Sequence, residues 1–392
     1  MVSRSLSVAL LSHMASRDAP TGAERSLATL ASGLAHRGHR ALVVAPGPWT
    51  LTAELESAGV EVRVRPCRVL WLTSHDGVSA ARAAAHWLRY ALPPSGERGL
   101  ARLLRERRPD VVHVNCLPHV HGARAARRAG LPVVWHVREI LPPGSRRRWF
   151  AARLAETAHE IVAVSEAVGA WIRDEGLDGR LSVVHNGVAA GPGEPPARDE
   201  ARALLGLPPD GCVAGLYGQI LPHKGVLEFV RAGRRALRQA PDLRFVIAGR
   251  GPRAFTDRVL GEIESGEGRE RFHLLPPLPG SERLLAASDL VCLTTTVPDP
   301  LPRSVLEAMA AGLPVVAFRS GGAPEMIVDG ETGFVVDVGD EQALAARMAR
   351  LALEVDLRRA LGEAGRARAR ERFSLEGHLR RMEEILERVA PP

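Results

Sequence analysis

Lysine is almost missing from this chain. Of 52 Lys and Arg residues among 392, one is a lysine, Lys224, and the rest are arginine. The formal charge of +7 is therefore spread over guanidinium groups. No nucleic-acid-binding motif accompanies it, so no nucleic-acid partner is expected. The densest basic stretches are Arg146-Arg147-Arg148 and the series Arg366, Arg368, Arg370, Arg372. They read as solvated helix surface, with phosphate or anionic lipid as the alternative contact. Cysteine is scarce too. Cys67, Cys116, Cys212 and Cys292 lie far apart and form no CxxC pair. That disfavours structural zinc and suits a reducing compartment. No apolar run approaches the roughly 18–20 residues that span a bilayer. The run Ser5–Leu11 stops at Ser12-His13 without a cleavage pattern, and reads as a first strand rather than a signal peptide. The expected location is cytoplasmic, with a peripheral position at the inner membrane face as the variant. Also absent are HExxH, a Gly-x-Ser-x-Gly elbow and a well-placed GxGxxG, which removes support for protease, hydrolase and ordinary dehydrogenase readings.

What is present is an ordinary globular composition, 45% hydrophobic and 25% charged, in a chain long enough for two domains. Short apolar runs alternate with helical periodicity. In the first half these are Ser7–Leu11, Ala41–Ala45, Val60–Val64, Val111–Val114, Val133–Val137, Ile161–Val164 and Leu181–Val184. After the turn pair Asn186-Gly187, a Pro- and Gly-rich stretch breaks the pattern. A second series follows: Val213–Tyr217, Arg244–Ala248, Phe272–Leu275, Leu290–Thr294 and Pro314–Phe318, ending in a region of helices. This alternation predicts parallel sheets covered on both faces. The expected architecture is α/β, with two Rossmann-like doubly wound domains facing a central cleft. The expected divisions are residues 1–188, a linker 189–200, residues 201–372, and a C-terminal helix 373–392 that packs back on the first domain.

The chemistry should sit just after the strands. Gly218-Gln-Ile-Leu-Pro-His-Lys224-Gly225 follows one strand and opens a helix, where a cation and free N–H groups suit a phosphate. It lacks P-loop spacing. A compact ammonium in an arginine-only background points to a site that a guanidinium does not fit. Asp299-Pro-Leu-Pro-Arg-Ser-Val-Leu-Glu307 places one carboxylate in a loop and one a turn into a helix, able to accept hydroxyl hydrogen bonds. Arg319-Ser-Gly321-Gly322 has the composition of an anion-binding nest. Gly22 opens the first helix, where a side chain would block a close phosphate. His136 ends a strand. His113, His119, His121, His185 and His223 have weaker claims.

Together these segments resemble the family-4 retaining glycosyltransferases of the two-domain GT-B fold. Thr21–Arg25, Asp110–His113, His136, Val184–Val188, Gly218–Gly225, Phe245–Pro252, Asp299–Glu307 and Asp329–Gly333 carry the likeness. The resemblance implies a C-terminal domain that binds a nucleoside-diphosphate sugar and an N-terminal domain that holds the acceptor. It implies that Lys224, Gln219 and Gly22 meet the donor diphosphate, and that Glu307 accepts the ribose hydroxyls. Asp299, Leu301 and Pro302 would meet the donor sugar, with His136, Asp299 and Lys224 at the reaction centre. Three positions depart from the family. Gln219 replaces a common arginine, Asp299 a usual glutamate, and Leu301-Pro302 a usual Phe-Gly, leaving no N–H at Pro302.

The implied reaction moves a hexose-type sugar to a hydroxyl acceptor with retention, by front-face displacement. UDP-sugar is the favoured donor and GDP-sugar the alternative. The chain has no Asp-x-Asp pair, so no metal or other cofactor is expected. The acceptor is open among natural products, polyols and lipids. Trp71, Trp87, Tyr90, Trp149 and Phe150 would form its pocket, a membrane-touching surface, or plain core. Another GT-B chemistry (epimerase, phosphorylase or pseudo-glycosyltransferase) and a non-catalytic nucleotide-binding descendant are the competing functions.

Overall fold

The computed structural model describes residues 4–17, 20–70, 96–189, 196–278 and 280–392. The chain forms two compact units, Met1–Asn186 with His378–Pro392, and Gly187–Gly377. In the first, β1 (Ser7–Leu11), β2 (Arg40–Ala45), β3 (Glu61–Val64), β4 (Val111–Asn115), β5 (Val133–Val137), β6 (Glu160–Ala163) and β7 (Leu181–Val183) form one sheet. Its order is β3-β2-β1-β4-β5-β6-β7, and every neighbouring pair is parallel. β1 and β4 are buried along nearly their whole length, and both are accordingly rich in apolar residues.

The second unit holds β8 (Val213–Tyr217), β9 (Arg244–Ala248), β10 (Phe272–Leu275), β11 (Leu290–Leu293), β12 (Val315–Phe318) and β13 (Gly333–Val336). They are parallel in the order β10-β9-β8-β11-β12-β13. Beneath the sheet Phe245 stacks on Phe272 with ring centroids 4.5 Å apart, and meets Phe229 edge-on at 5.7 Å. Each such buried ring contributes about 1.5–3 kcal/mol. β13 is a strand where the sequence led us to expect only helices. It is four residues long and follows the Asp329–Thr332 turn, too short to show a period.

The stretch expected as a linker is partly structured. Helix Arg198–Leu204 begins inside it. Its Arg202 is fully buried, donates to the carbonyls of Ala287, Pro209 and Gly211, and pairs with Asp289 at 2.7 Å. The final helix, Leu375–Val389, joins the first unit from His378 onward. There Leu379 lies so close to helix Gly22–His36 that a Cβ on Gly33 would come within 2.4 Å of it. Glu383 on the same helix takes Arg37 at 2.6 Å and His39 at 2.7 Å.

Candidate functional site

In each sheet the strand order reverses once, between β1 and β4 and between β8 and β11. Such a reversal opens a crevice beyond the carboxyl ends of the two strands. In the second unit the loops that leave β8 and β11 carry Gly218–Gly225 and Thr294–Pro302. Lys224 closes a short 3-10 turn, Pro222–Lys224, ahead of helix Val226–Leu237. Gly225 is required there twice over. Its φ is +69°, and a Cβ would lie 1.7 Å from the Thr294 carbonyl oxygen. Three threonines fasten the turn to the end of β11. The Thr294 hydroxyl donates to the Lys224 carbonyl at 3.1 Å, the Thr295 hydroxyl to His223 at 3.0 Å, and the Thr296 N–H to His223 at 2.9 Å. The result is a Lys224 ammonium 2.7 Å from the Asp299 carboxylate, both partly open to solvent.

The Asp299 loop is seated by Gly321 and Gly322. A Cβ on Gly321 would lie 2.0 Å from the Asp299 carbonyl oxygen, and one on Gly322 would lie 2.2 Å from that of Pro300. Gly322 spends its N–H on the Asp299 carbonyl at 2.9 Å. This corrects the expectation of an anion-binding nest at these glycines: they bring two backbones together, and the Gly322 donor is already used. Leu301 and Pro302 are buried, so their side chains anchor the loop rather than line its surface. Pro302 is the N-cap of helix Arg303–Ala311. Glu307, in that helix, accepts from Ser281 at 2.8 Å and from Arg303 at 2.9 Å. Gln219 is exposed, on a loop pinned by the Ile220 N–H to the Arg250 carbonyl at 2.8 Å.

Lys224 and Asp299 are thus brought into contact, with Glu307 on the helix into which the Asp299 loop leads. The threonine run, Ser281 and Arg303 were missed. Three consecutive threonines after a strand, and an Arg four residues before a helical Glu, are signals that the sequence does display.

Gly22 and His136 belong to the first unit. Gly22 is exposed at the first position of its helix. Thr21 and Glu24 form a capping box there, and Glu24 also accepts from Ser16 and from the Trp49 indole at 2.7 Å. Burial opposes ionisation of Glu24, but the hydrogen bonds from Ser16 and Thr21 outweigh it and hold its carboxyl below the usual range. The Thr-x-x-Glu spacing was readable in the sequence. At the end of β4, Cys116 has a φ of +71°, a strained conformation for a residue with a Cβ. It is pinned by its N–H to the His136 carbonyl at 2.9 Å and by the Trp135 indole to its own carbonyl at 3.1 Å.

His136 is wholly buried, with Nδ1 3.2 Å from Nε2 of His113. Burial first, then the charge of Arg138, pushes its pKa well below 6.5. The same two causes take His113 down to about 3. Burial likewise takes His13 to about 4, His119 to about 3 and His378 to about 4.

Of the basic clusters, Arg147 is buried against Asp174 and Glu175, and Arg366 and Arg368 donate to backbone carbonyls. Arg147 is an internal strut, whereas the exposed Arg366 and the half-buried Arg368 brace those carbonyls from the surface. Trp149 packs edge-on against the buried Phe150 and under Arg153. Trp71, Trp87 and Tyr90 lie outside the described residues. Among the described residues, no helix is long and apolar enough to cross a membrane, and no cluster of three His, Cys, Asp or Glu is placed to hold a metal ion.

Two parallel sheets, each wound about a single reversal and each bearing polar loops at that point, define a double Rossmann-like α/β protein. Residues 21–187 match the family model described as glycosyl transferase 4-like domain, and residues 197–368 match that of glycosyl transferases group 1. The chain belongs to the family-4 glycosyltransferases of GT-B fold. One relative, alpha-maltose-1-phosphate synthase of Mycolicibacterium smegmatis, is 33% identical over 58% of this chain and 62% of its own length. Another, a GDP-mannose-dependent phosphatidylinositol monomannoside mannosyltransferase of the same organism, is 32% identical over 49% of this chain and 52% of its own. The chain therefore spans about half to six-tenths of the length of these curated relatives. In fold it is similar to Anabaena Alr3699/HepE, solved with UDP-glucose: TM-score 0.80, 23% identity, 98% of this chain and 100% of that one.

Proposed function

We propose that the protein is a retaining glycosyltransferase that moves a hexose-type sugar from a nucleoside-diphosphate sugar, UDP-linked by preference, to a hydroxyl acceptor. The observation that carries this is the meeting of the chain's single lysine ammonium with Asp299 at the β8/β11 reversal, beside the helix of Glu307. A nucleoside diphosphate leaves readily once its growing charge is neutralised. A preorganised cation does this without reorganising solvent. Lys224 is that cation, and Glu307 keeps lone pairs for ribose hydroxyls beyond those given to Ser281 and Arg303. Asp299 meets the sugar, and its side chain, one methylene shorter than the family's glutamate, reshapes sugar choice. No side chain is assigned as a covalent nucleophile. The acceptor proton passes to the leaving phosphate on the same face, and the anomeric configuration is kept. One relative named as GDP-mannose-dependent, and a fold neighbour solved with UDP-glucose, support a nucleoside-diphosphate-sugar donor.

The test is a thermal-shift screen of UDP- and GDP-sugars, since a ligand bound only by the native state raises the melting point. Nucleotide release with an acceptor panel follows, with the product anomer read by NMR. A donor-specific shift followed by a retained product supports the reading. An inverted product contradicts retention. Nucleotide binding without turnover on any acceptor favours the non-catalytic descendant.

A further inference from the structure

Arg138 follows β5 directly and is buried, where a guanidinium is rarely found. Its Nε donates to Asn115 Oδ1 at 2.7 Å, and its Nη1 to Asn186 Oδ1 at 2.7 Å. Asn115 is itself tied through Nδ2 to the Ala23 carbonyl at 3.3 Å, which fixes the sense of its amide. Nη2 of Arg138 lies 3.4 Å from Nδ1 of His136. A guanidinium carries donors only, so the imidazole atom it faces must accept. A neutral ring with a lone pair on Nδ1 carries its proton on Nε2. His113 Nε2 stands 3.2 Å from the same lone pair, where it can only serve as a second donor once Arg138 has made that atom an acceptor. The outer atom of the pair, Nε2 of His136, is buried and has no hydrogen-bond partner among the described residues.

We infer that Arg138, clamped by Asn115 and Asn186, is a positioning residue that locks His136 in the Nε2–H tautomer, so the ring donates a hydrogen bond and never acts as a general base. Its basic lone pair is occupied from two sides. The charged and titratable groups that face the ring are Arg138, His113 and His378, the last with its centroid 6.4 Å away, and all three oppose a second proton. A buried N–H without an acceptor is destabilising, because its lost hydration is not replaced. A donor left this way is matched by an incoming oxygen. That this oxygen belongs to a sugar or acceptor rests on the transferase reading above; the tautomer does not.

The test is long-range proton–nitrogen NMR of the full chain labelled at histidine, with His136 assigned by its loss in His136→Gln. At pH 7 and at pH 5 the expected pattern is neutral, with the proton on Nε2. In Arg138→Met the same ring should show a tautomer mixture and titrate at least one pH unit higher. Arg138→Lys should restore much of the original pattern. Should Arg138→Met fail to fold, Asn186→Ala loosens the clamp while keeping the charge, and should also give a mixture. A wild-type ring protonated on Nδ1, or charged at pH 7, overturns the inference, as does a substituted clamp with an unchanged spectrum. No sugar donor is present in these spectra, so a failure of the transferase reading leaves this result standing.

Discussion

At the scale of the residue, the site depends on placing few charges where they act on few atoms. Glu307 already accepts from Ser281 and Arg303, so it is held in one orientation before any ligand arrives. Removing its charge while keeping its shape should weaken ribose binding. Glu307→Gln is expected to raise KM for the donor by about 10- to 150-fold, the equivalent of a hydrogen bond to a charged group, about 1.5–3 kcal/mol. Steady-state kinetics with varied donor will show this, and an unchanged KM removes Glu307 from the ribose site. The residues proposed to act on the donor were the most legible ones in the sequence. Lys224 stood out because it had no competitor of its kind, and Glu307 because of its helical placement. Arg138 and Glu24 were not read as part of any site. Their importance comes from partners far away in sequence, Asn186 and Trp49, and neither spacing nor composition encodes such pairs.

At the scale of the element, close approach of loops decides where Lys224 points. Gly225 lets the Lys224 turn pass against the end of β11, and its left-handed backbone angle starts the following helix. In Gly225→Ala the added Cβ meets the Thr294 carbonyl, and strain of about 1–3 kcal/mol from the backbone alone adds to that clash. The expected outcome is a melting point several degrees lower and transfer activity lost with it, by calorimetry and nucleotide release. A variant as stable and active as wild type refutes the packing described here.

The elements were legible wherever apolar runs were long and flanked by helical periods, as in β1, β8 and β9. β13 escaped notice because four residues after a turn carry no period. The glycine pair Gly321-Gly322 was recognisable as special. Sequence composition alone does not distinguish backbone contact from anion binding, and here their space is filled by the Asp299 loop.

At the scale of the whole molecule, the first unit buries a group of five histidines that burial keeps neutral. His13, His113, His119, His136 and His378 all have folded pKa values below the ordinary 6.5, chiefly through burial. Below pH 6.5 the unfolded chain takes up protons at these rings while the folded unit does not. Stability is therefore fully present above about pH 6.5 and is lost as pH falls toward 4. Each ring contributes up to about 1.4 kcal/mol per pH unit in that window. Glu24 adds a later loss, because its lowered folded pKa gives stability that disappears as pH falls below its ordinary 4.5. Differential scanning calorimetry between pH 7.5 and 4.5 should show a steep fall in melting temperature beginning near pH 6.5. A flat profile across that range contradicts neutral burial of these rings. The two-sheet architecture itself was foreseen from the alternation of runs. The last helix is held to the first unit by Leu379 against Gly33 and by Glu383 between Arg37 and His39, pairs that no spacing in the sequence encodes.

The anchoring of a nucleoside diphosphate by Lys224 is tested most directly by titration calorimetry of UDP and GDP against wild type and Lys224→Ala. The expected result is binding of one nucleotide by wild type and a loss of about 10- to 150-fold in affinity in the variant, the worth of one charge-assisted hydrogen bond. The two melting points should stay within a few degrees of each other. Equal affinity in both proteins would contradict the assignment.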